Sequence, residues 1–301
     1  MMACHRDDYE FPLPETHPFP MEKFRVSARW IAEEDPTVRI TVPDPAPIEW
    51  LEAVHETAYL RALETGLLTP DQIHRLGLPW GPELLFRSRC ETGGTVMAAR
   101  AALHEGLACN LGGGTHHAFP GEGQGYCVLN DVAVAIRRLR QEGFDGPVVV
   151  VDTDAHQGNG THAIFAGDPL VLTYSIHVER NYPSKKVPGT MDVGLPRWVE
   201  GPVYLDALEK SLDHFLDAHP AMLAFWISGA DPHVDDQFGQ MRLTDGEMAA
   251  RDECVLGHLC GRGLPVAVLY GGGYNRNRAV TARLHANTVL RAARFYRNLS
   301  R

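Results

Sequence analysis

Downstream of Gly146 one feature recurs: a short apolar, β-branched run that ends at a polar residue or glycine. Residues 147–151, 170–176, 222–227 and 265–270 are such runs. They are too short for helices, which predicts strands buried on both faces. Helix-period segments lie around them. Val132, Ala135, Ile136 and Leu139 recur at i, i+3, i+4 and i+7, and residues 204–216, 245–259 and 278–294 also read as helices. Thr244, with Glu247 three residues on, is a capping-box pattern. Strands alternating with helices predict an α/β fold, with a mainly parallel central sheet flanked by helices. The 301 residues contain no internal repeat and no low-complexity linker, so one domain over 1–301 is expected. The first 45 residues are rich in proline and read as an ordered, irregular entry segment.

In sheets of this kind the site lies beyond the carboxyl ends of the strands. Polar clusters follow the runs there. Asp152, Asp154 and His156 come directly after 148–151, spaced by two, which at the end of an extended strand points them to one side. A carboxylate and an imidazole held together can begin a zinc site, or can be a buried hydrogen-bonded pair. Asp231 follows the run ending at Ile227 and can supply a third ligand, leaving a position open for water. His233, Asp235 and Asp236 compete for that role or are solvated loop residues; the solvated reading is favoured. His116 and His117 follow three glycines, a loop able to present both rings to one site. No Gly-Lys-Ser/Thr accompanies it, which argues against a phosphate cradle. Tyr274 follows Gly271-Gly272-Gly273 and either donates to an oxyanion or packs beside a turn.

Charge narrows the function classes. A formal charge of -10 argues against direct nucleic-acid binding by phosphate neutralisation and suits a cationic partner. The six cysteines form no C-x-x-C pair and read as reduced, mostly packed thiols. Residues 1–10 are polar, unlike a signal peptide, and no apolar run approaches a membrane span. A cytoplasmic location is expected.

Together and in this order, GGGTHHA (112–118), GYCVLND (125–131), DTDAHQGNG (152–160), GAD (229–231) and GGGYN (271–275) resemble the histone deacetylase family. Gln157, residues 17–23 (HPFPMEK), 92–95 (TGGT) and 181–183 (NYP) resemble its class IV branch and bacterial relatives. The resemblance implies a three-layer arginase/deacetylase-like fold and a zinc-dependent amidohydrolase, with iron as the alternative metal. It implies Asp154, His156 and Asp231 as metal ligands, His116, His117 and Tyr274 as catalytic groups, and Asp152 and Asn159 as the partners of the two histidines. Many members carry an aspartate where this chain has Asn159, which should leave the pKa of His117 less raised. It further implies Gly125, Tyr126, Tyr182 and Gly272 as substrate-binding. A potassium ion is implied at backbone oxygens of Asp152, Asp154, His156, Ser175 and Ile176. The implied substrate is an acyl-lysine peptide or protein, carrying acetyl or a longer acyl group, or a small cationic amide such as an acetylpolyamine. A non-catalytic acyl-lysine binding module is the rival of another class. Arginase-like enzymes share the architecture but use two manganese ions, against which the His doublet and Tyr274 argue.

Overall fold

The structure, a computed structural model, describes residues 1–299. Its strands are β1 (Met2–Cys4), β2 (Arg39–Thr41), β3 (Leu107–Asn110), β4 (Val148–Asp152), β5 (Val171–Val178), β6 (Met191–Leu195), β7 (Val199–Glu200), β8 (Leu223–Ile227), β9 (Met241–Arg242) and β10 (Val266–Leu269). Eight form one sheet in the order β2-β1-β3-β10-β8-β4-β5-β6, every pairing parallel. The four expected strands are its centre. In β4, Val148 and Val150 face a layer built on helices Pro82–Glu105 and Asp131–Gln141. Val149 and Val151 face the layer of helices Lys23–Glu34, Gly201–Ala218, Asp245–Gly261 and Arg278–Leu299. Both parities of the run are apolar because both faces are covered. Thr244 and Glu247 form the expected capping box.

The entry segment is not irregular. It supplies β1 and β2, which extend the sheet past β3, and the helix Lys23–Glu34. Three-residue strands are too short to show periodicity; burial by pairing makes them, with Ala3 and Cys4 fully enclosed. The 24-residue helix Pro82–Glu105 also lacks an apolar stripe, since much of its circumference is buried, including Arg87, Glu91, Gly93 and Gly94. Gly93 is there for closeness: a Cβ would overlap the Asp44 carbonyl oxygen, a backbone atom that cannot yield. Gly93→Ala is therefore expected to cost roughly 1–3 kcal/mol, as overpacking does, despite alanine's better helix propensity. Chemical denaturation checks it; an unchanged or higher midpoint would contradict this packing.

All six cysteines are free thiols and five are buried. Among the described residues no helix is long and apolar enough to cross a membrane.

Candidate metal centre and active site

Because β3, β4, β8 and β10 run parallel, their carboxyl ends open at one edge. There β4 delivers Asp152, Asp154 and His156, and β8 delivers Asp231. Both carboxylates are anchored to backbone, and Asp154 Oδ1 also accepts the His156 N–H at 3.0 Å. Asp154 Oδ2 accepts the Gly272 N–H at 2.7 Å, and Asp231 Oδ1 accepts the Ala155 N–H at 3.0 Å. Their other oxygens converge on His156 Nδ1, at 3.1 Å from Asp154 and 2.8 Å from Asp231. The three residues are buried, and their candidate ligand atoms lie within 4.8 Å of one another.

The electrostatics suit a cation. Burial and the neighbouring Asp154 push the Asp231 carboxyl up. Burial alone would raise Asp154 too, but the charges of His116 and His156 hold it well below the usual range. Burial opposes protonation of His156, yet its two carboxylate partners outweigh that and raise it well above an ordinary histidine. A proton on Nδ1 thus occupies the point where the carboxylates gather positive charge. Two carboxylate oxygens and one imidazole nitrogen are a donor set suited to a catalytic divalent ion, with a position left open. Gly272 is fixed by this crowding, because a Cβ would stand 2.5 Å from Asp231 Oδ2 and 2.7 Å from Asp154 Oδ2.

The histidine doublet faces the same point. Asp131, at the start of helix Asp131–Gln141, shapes its loop by accepting the Gly114 N–H at 3.0 Å and the Thr115 N–H at 2.8 Å. The rings of His116 and His117 lie 4.0 Å apart. His116 Nδ1 bonds Asp152 Oδ2 at 2.6 Å, and His117 Nδ1 bonds Asn159 Oδ1 at 2.7 Å. The two partners separate the two imidazoles. Burial lowers His116 alone, but the charges of Asp152 and Asp154 prevail and push it up to about 9. His117, with a neutral partner, is held well below the usual value by burial and by the charges of His116 and His156. An amide oxygen can only accept, so Nδ1 of His117 carries its proton and Nε2 is left with a free lone pair.

Tyr274 stands at the end of the glycine turn. Asp236 fixes it by accepting the Tyr274 N–H at 2.6 Å. Its ring packs against Phe238 at 5.3 Å, Tyr126 at 5.6 Å and Phe19 at 5.9 Å. Burial and the charges of Asp154 and Asp231 hold its hydroxyl well above the usual phenol pKa, so it stays a donor. Among the described residues that hydroxyl has no hydrogen-bond partner. A cavity of about 340 Å³ rises over His117, His156 and Tyr274, with Gly125, Tyr126, Tyr182 and Phe238 among its walls. Tyr182 sets its ring at 90° to that of His117, with centroids 4.9 Å apart. Gly125 and Tyr126 both have positive φ, 52° and 69°. Gly272 lines a smaller inner cavity of about 40 Å³ instead. Asp152 and Ser175 are register partners on β4 and β5, so Ile176 and the loop carrying Asp154 and His156 lie close by.

The solvated reading of the 233–236 loop holds only for Asp235. His233 is buried, bonded through Nδ1 to Asn275 at 2.8 Å and through Nε2 to Asp245 at 2.9 Å. Asp236 is also buried and, besides Tyr274, accepts the Phe238 and Gly239 N–H groups. Neither joins the metal cluster; they brace the turns that hold Asp231 and Tyr274. Gln157 is a brace as well, donating to Asp192 at 2.6 Å and accepting from Val187 at 2.9 Å. The inner cavity adds residues to which no site role was assigned: Lys23, at the end of the 17–23 segment, and Arg87 and Glu91, which carried no motif signal. Lys23 donates to the Gly271 carbonyl at 2.9 Å, and burial pulls it down to about 8. Arg87 pairs with Glu91 at 2.8 Å, and burial pushes Glu91 up to about 7.

Residues 17–290 match the model of the histone deacetylase domain family. An uncharacterized protein of Picosynechococcus sp. is 42% identical over 280 residues, 91% of this chain and 92% of that protein. The acetoin utilization protein AcuC of Staphylococcus aureus is 24% identical over 262 residues, covering 78% of this chain and 66% of AcuC. The chain therefore spans about two thirds of the length of AcuC. The crystal structure of the HDA15 HD domain superposes with a TM-score of 0.80 over 97% of this chain and 90% of that one, at 22% identity, a likeness of fold. With that fold, a buried Asp-His-Asp cluster at the strand ends and a family match over most of its length, the chain belongs to the histone deacetylase family.

Proposed function

We propose that the protein is a zinc-dependent amidohydrolase that removes acyl groups from lysine side chains. The observation that carries the reading is the convergence of three unlike devices on one cavity floor: the Asp154, His156, Asp231 cluster, a histidine with its Nε2 free, and an unpartnered tyrosine hydroxyl. A zinc ion held by the cluster, or iron in its place, would polarise the acyl carbonyl and acidify water. His117 Nε2 takes the proton of the attacking water and later delivers it to the leaving amine. His116 keeps its proton and lends positive charge. Tyr274 donates to the tetrahedral oxyanion. Asp152 and Asn159 fix the two imidazole tautomers, and Tyr126, Tyr182, Gly125 and Gly272 bound the path of the substrate. The same reading includes a potassium ion on backbone oxygens of Asp152, Asp154, His156, Ser175 and Ile176, by resemblance to the family.

The test is a side-by-side assay of the zinc- or iron-loaded protein on an acetyl-lysine peptide, a long-chain acyl-lysine peptide and an acetylpolyamine. Turnover of a lysine peptide is expected; turnover of none of them contradicts the reading. The roles of the two histidines make a further prediction. In Asn159→Asp a carboxylate replaces the neutral partner and raises the pKa of His117 by about 1 unit or more. The base must be unprotonated, so the acid limb of kcat/KM moves to higher pH. A pH–rate profile reads this directly, and an unmoved limb would remove His117 from the role of base.

A further inference from the structure

The mouth of the cavity carries a charge opposite to that of the chain. His74, Arg75 and Tyr182 line both the entrance and an adjoining open groove of about 590 Å³, so the two are continuous. Lys185 is exposed on the groove and, among the described residues, makes no ion pair. Among the described residues Glu122 is the one carboxylate lining the groove, and none lines the entrance. Both oxygens of Glu122 are already engaged: Oε2 with Arg75 Nε at 2.9 Å and Oε1 with the Gln124 side-chain amide at 2.8 Å. The rim is also held rigidly to the site. The Gly125 and Tyr126 N–H groups donate to the Arg75 and Leu76 carbonyls at 3.1 and 2.8 Å. Lys186 Nζ pins the loop of Lys185 through the Asn181 and Pro183 carbonyls, both at 2.8 Å.

We infer that the groove beside the entrance, presenting Arg75 and Lys185, selects acyl-lysine peptides with acidic residues flanking the acylated lysine and disfavours acylpolyamines. This rests on the deacylase reading above and narrows its substrate class. A polyamine carries further ammonium groups that must sit near the mouth when its amide reaches the floor. The described lining of the mouth offers them no uncommitted carboxylate and instead places there the unpaired Lys185 beside the Arg75–Glu122 pair, a net positive rim. The overall charge of -10 draws a polycation to the protein, but the local field at the entrance decides what is seated.

The test uses the metal-loaded full chain and three labelled peptides, alike except for acidic, neutral or basic flanks, each with a methyl ketone replacing the acetyl amide so that no cleavage occurs. Fluorescence anisotropy is expected to rank them acidic, neutral, basic, with the ends about tenfold apart at low salt. The gap should shrink to about twofold near 0.5 M NaCl. Charge reversal by Lys185→Glu or Arg75→Glu should narrow or invert the order, and N8-acetylspermidine should compete poorly. Equal binding of the three, tighter binding of the basic peptide, or displacement by acetylspermidine at lower concentration than by the acidic peptide would overturn the inference. The deacylase reading fails separately, as absent turnover of the parent acetyl peptides, while the binding order still reports on the rim.

Discussion

Asp231→Asn is expected to weaken divalent-metal binding by more than about 100-fold, the upper end of the loss seen when only an outer partner of a ligand is removed. Hydrolysis should fall with it at any metal concentration that leaves the site empty. The substitution is nearly isosteric, and the amide oxygen can still accept the Ala155 N–H that Asp231 Oδ1 accepts. Misfolding is therefore not the expected cause. The metal-free forms give the clearest contrast. In the folded chain burial and Asp154 raise the Asp231 carboxyl above its unfolded value. A carboxyl with a raised folded pKa lowers stability at pH values above its unfolded pKa, because the unfolded chain releases that proton more readily. Asparagine has no proton to release. Against this the variant loses the acceptor of the His156 Nδ1 bond at 2.8 Å, so the two metal-free forms should unfold at similar temperatures near neutral pH, while wild type alone gains stability when metal is added. A variant that gains as much from metal as wild type would remove Asp231 from the ligand set.

Tyr274→Phe should lower kcat by about 10²–10³ while KM changes little, the signature of a donor used mainly in the transition state. The ring, not the hydroxyl, makes the contacts with Phe19, Tyr126 and Phe238, and phenylalanine retains all three. The hydroxyl has no partner to lose among the described residues, so the thermal midpoint should stay close to that of wild type. Steady-state kinetics with a melting curve on the same sample separates the two. Undiminished kcat would assign Tyr274 to packing alone.

The legible part of this fold was the part held by long-range burial on both faces. Residues 148–151 announce a central strand because neither parity of the run is polar, and Asp152 marks its end because a carboxylate can be placed only where the sheet opens. The edge was not legible. β1 and β2 have three residues each, and what makes them strands is the neighbour they pair with. At the site, spacing alone put Asp154 and His156 together. Asp231 lies 75 residues beyond His156 and joins it only through the pairing of β4 with β8. His233 and Asp236 looked like solvated loop residues, since exposed and buried polar loops share a composition. Their burial follows from partners on distant turns, Asn275 and Tyr274, which local sequence does not announce. Lys23 and Arg87 were hidden for a similar reason: a buried cation in a helix reads as a surface charge until the elements around it are placed.

The most direct measurement of the central claim is bound metal and turnover determined on one preparation, after exhaustive chelation and during stepwise return of zinc or iron. No hydrolysis of the acetyl-lysine peptide is expected from the stripped protein. Activity should rise in proportion to bound ion and saturate at one catalytic ion per chain, with no such saturation in Asp231→Asn. Full turnover by protein with no bound divalent ion, or equal restoration in wild type and Asp231→Asn, would contradict that claim.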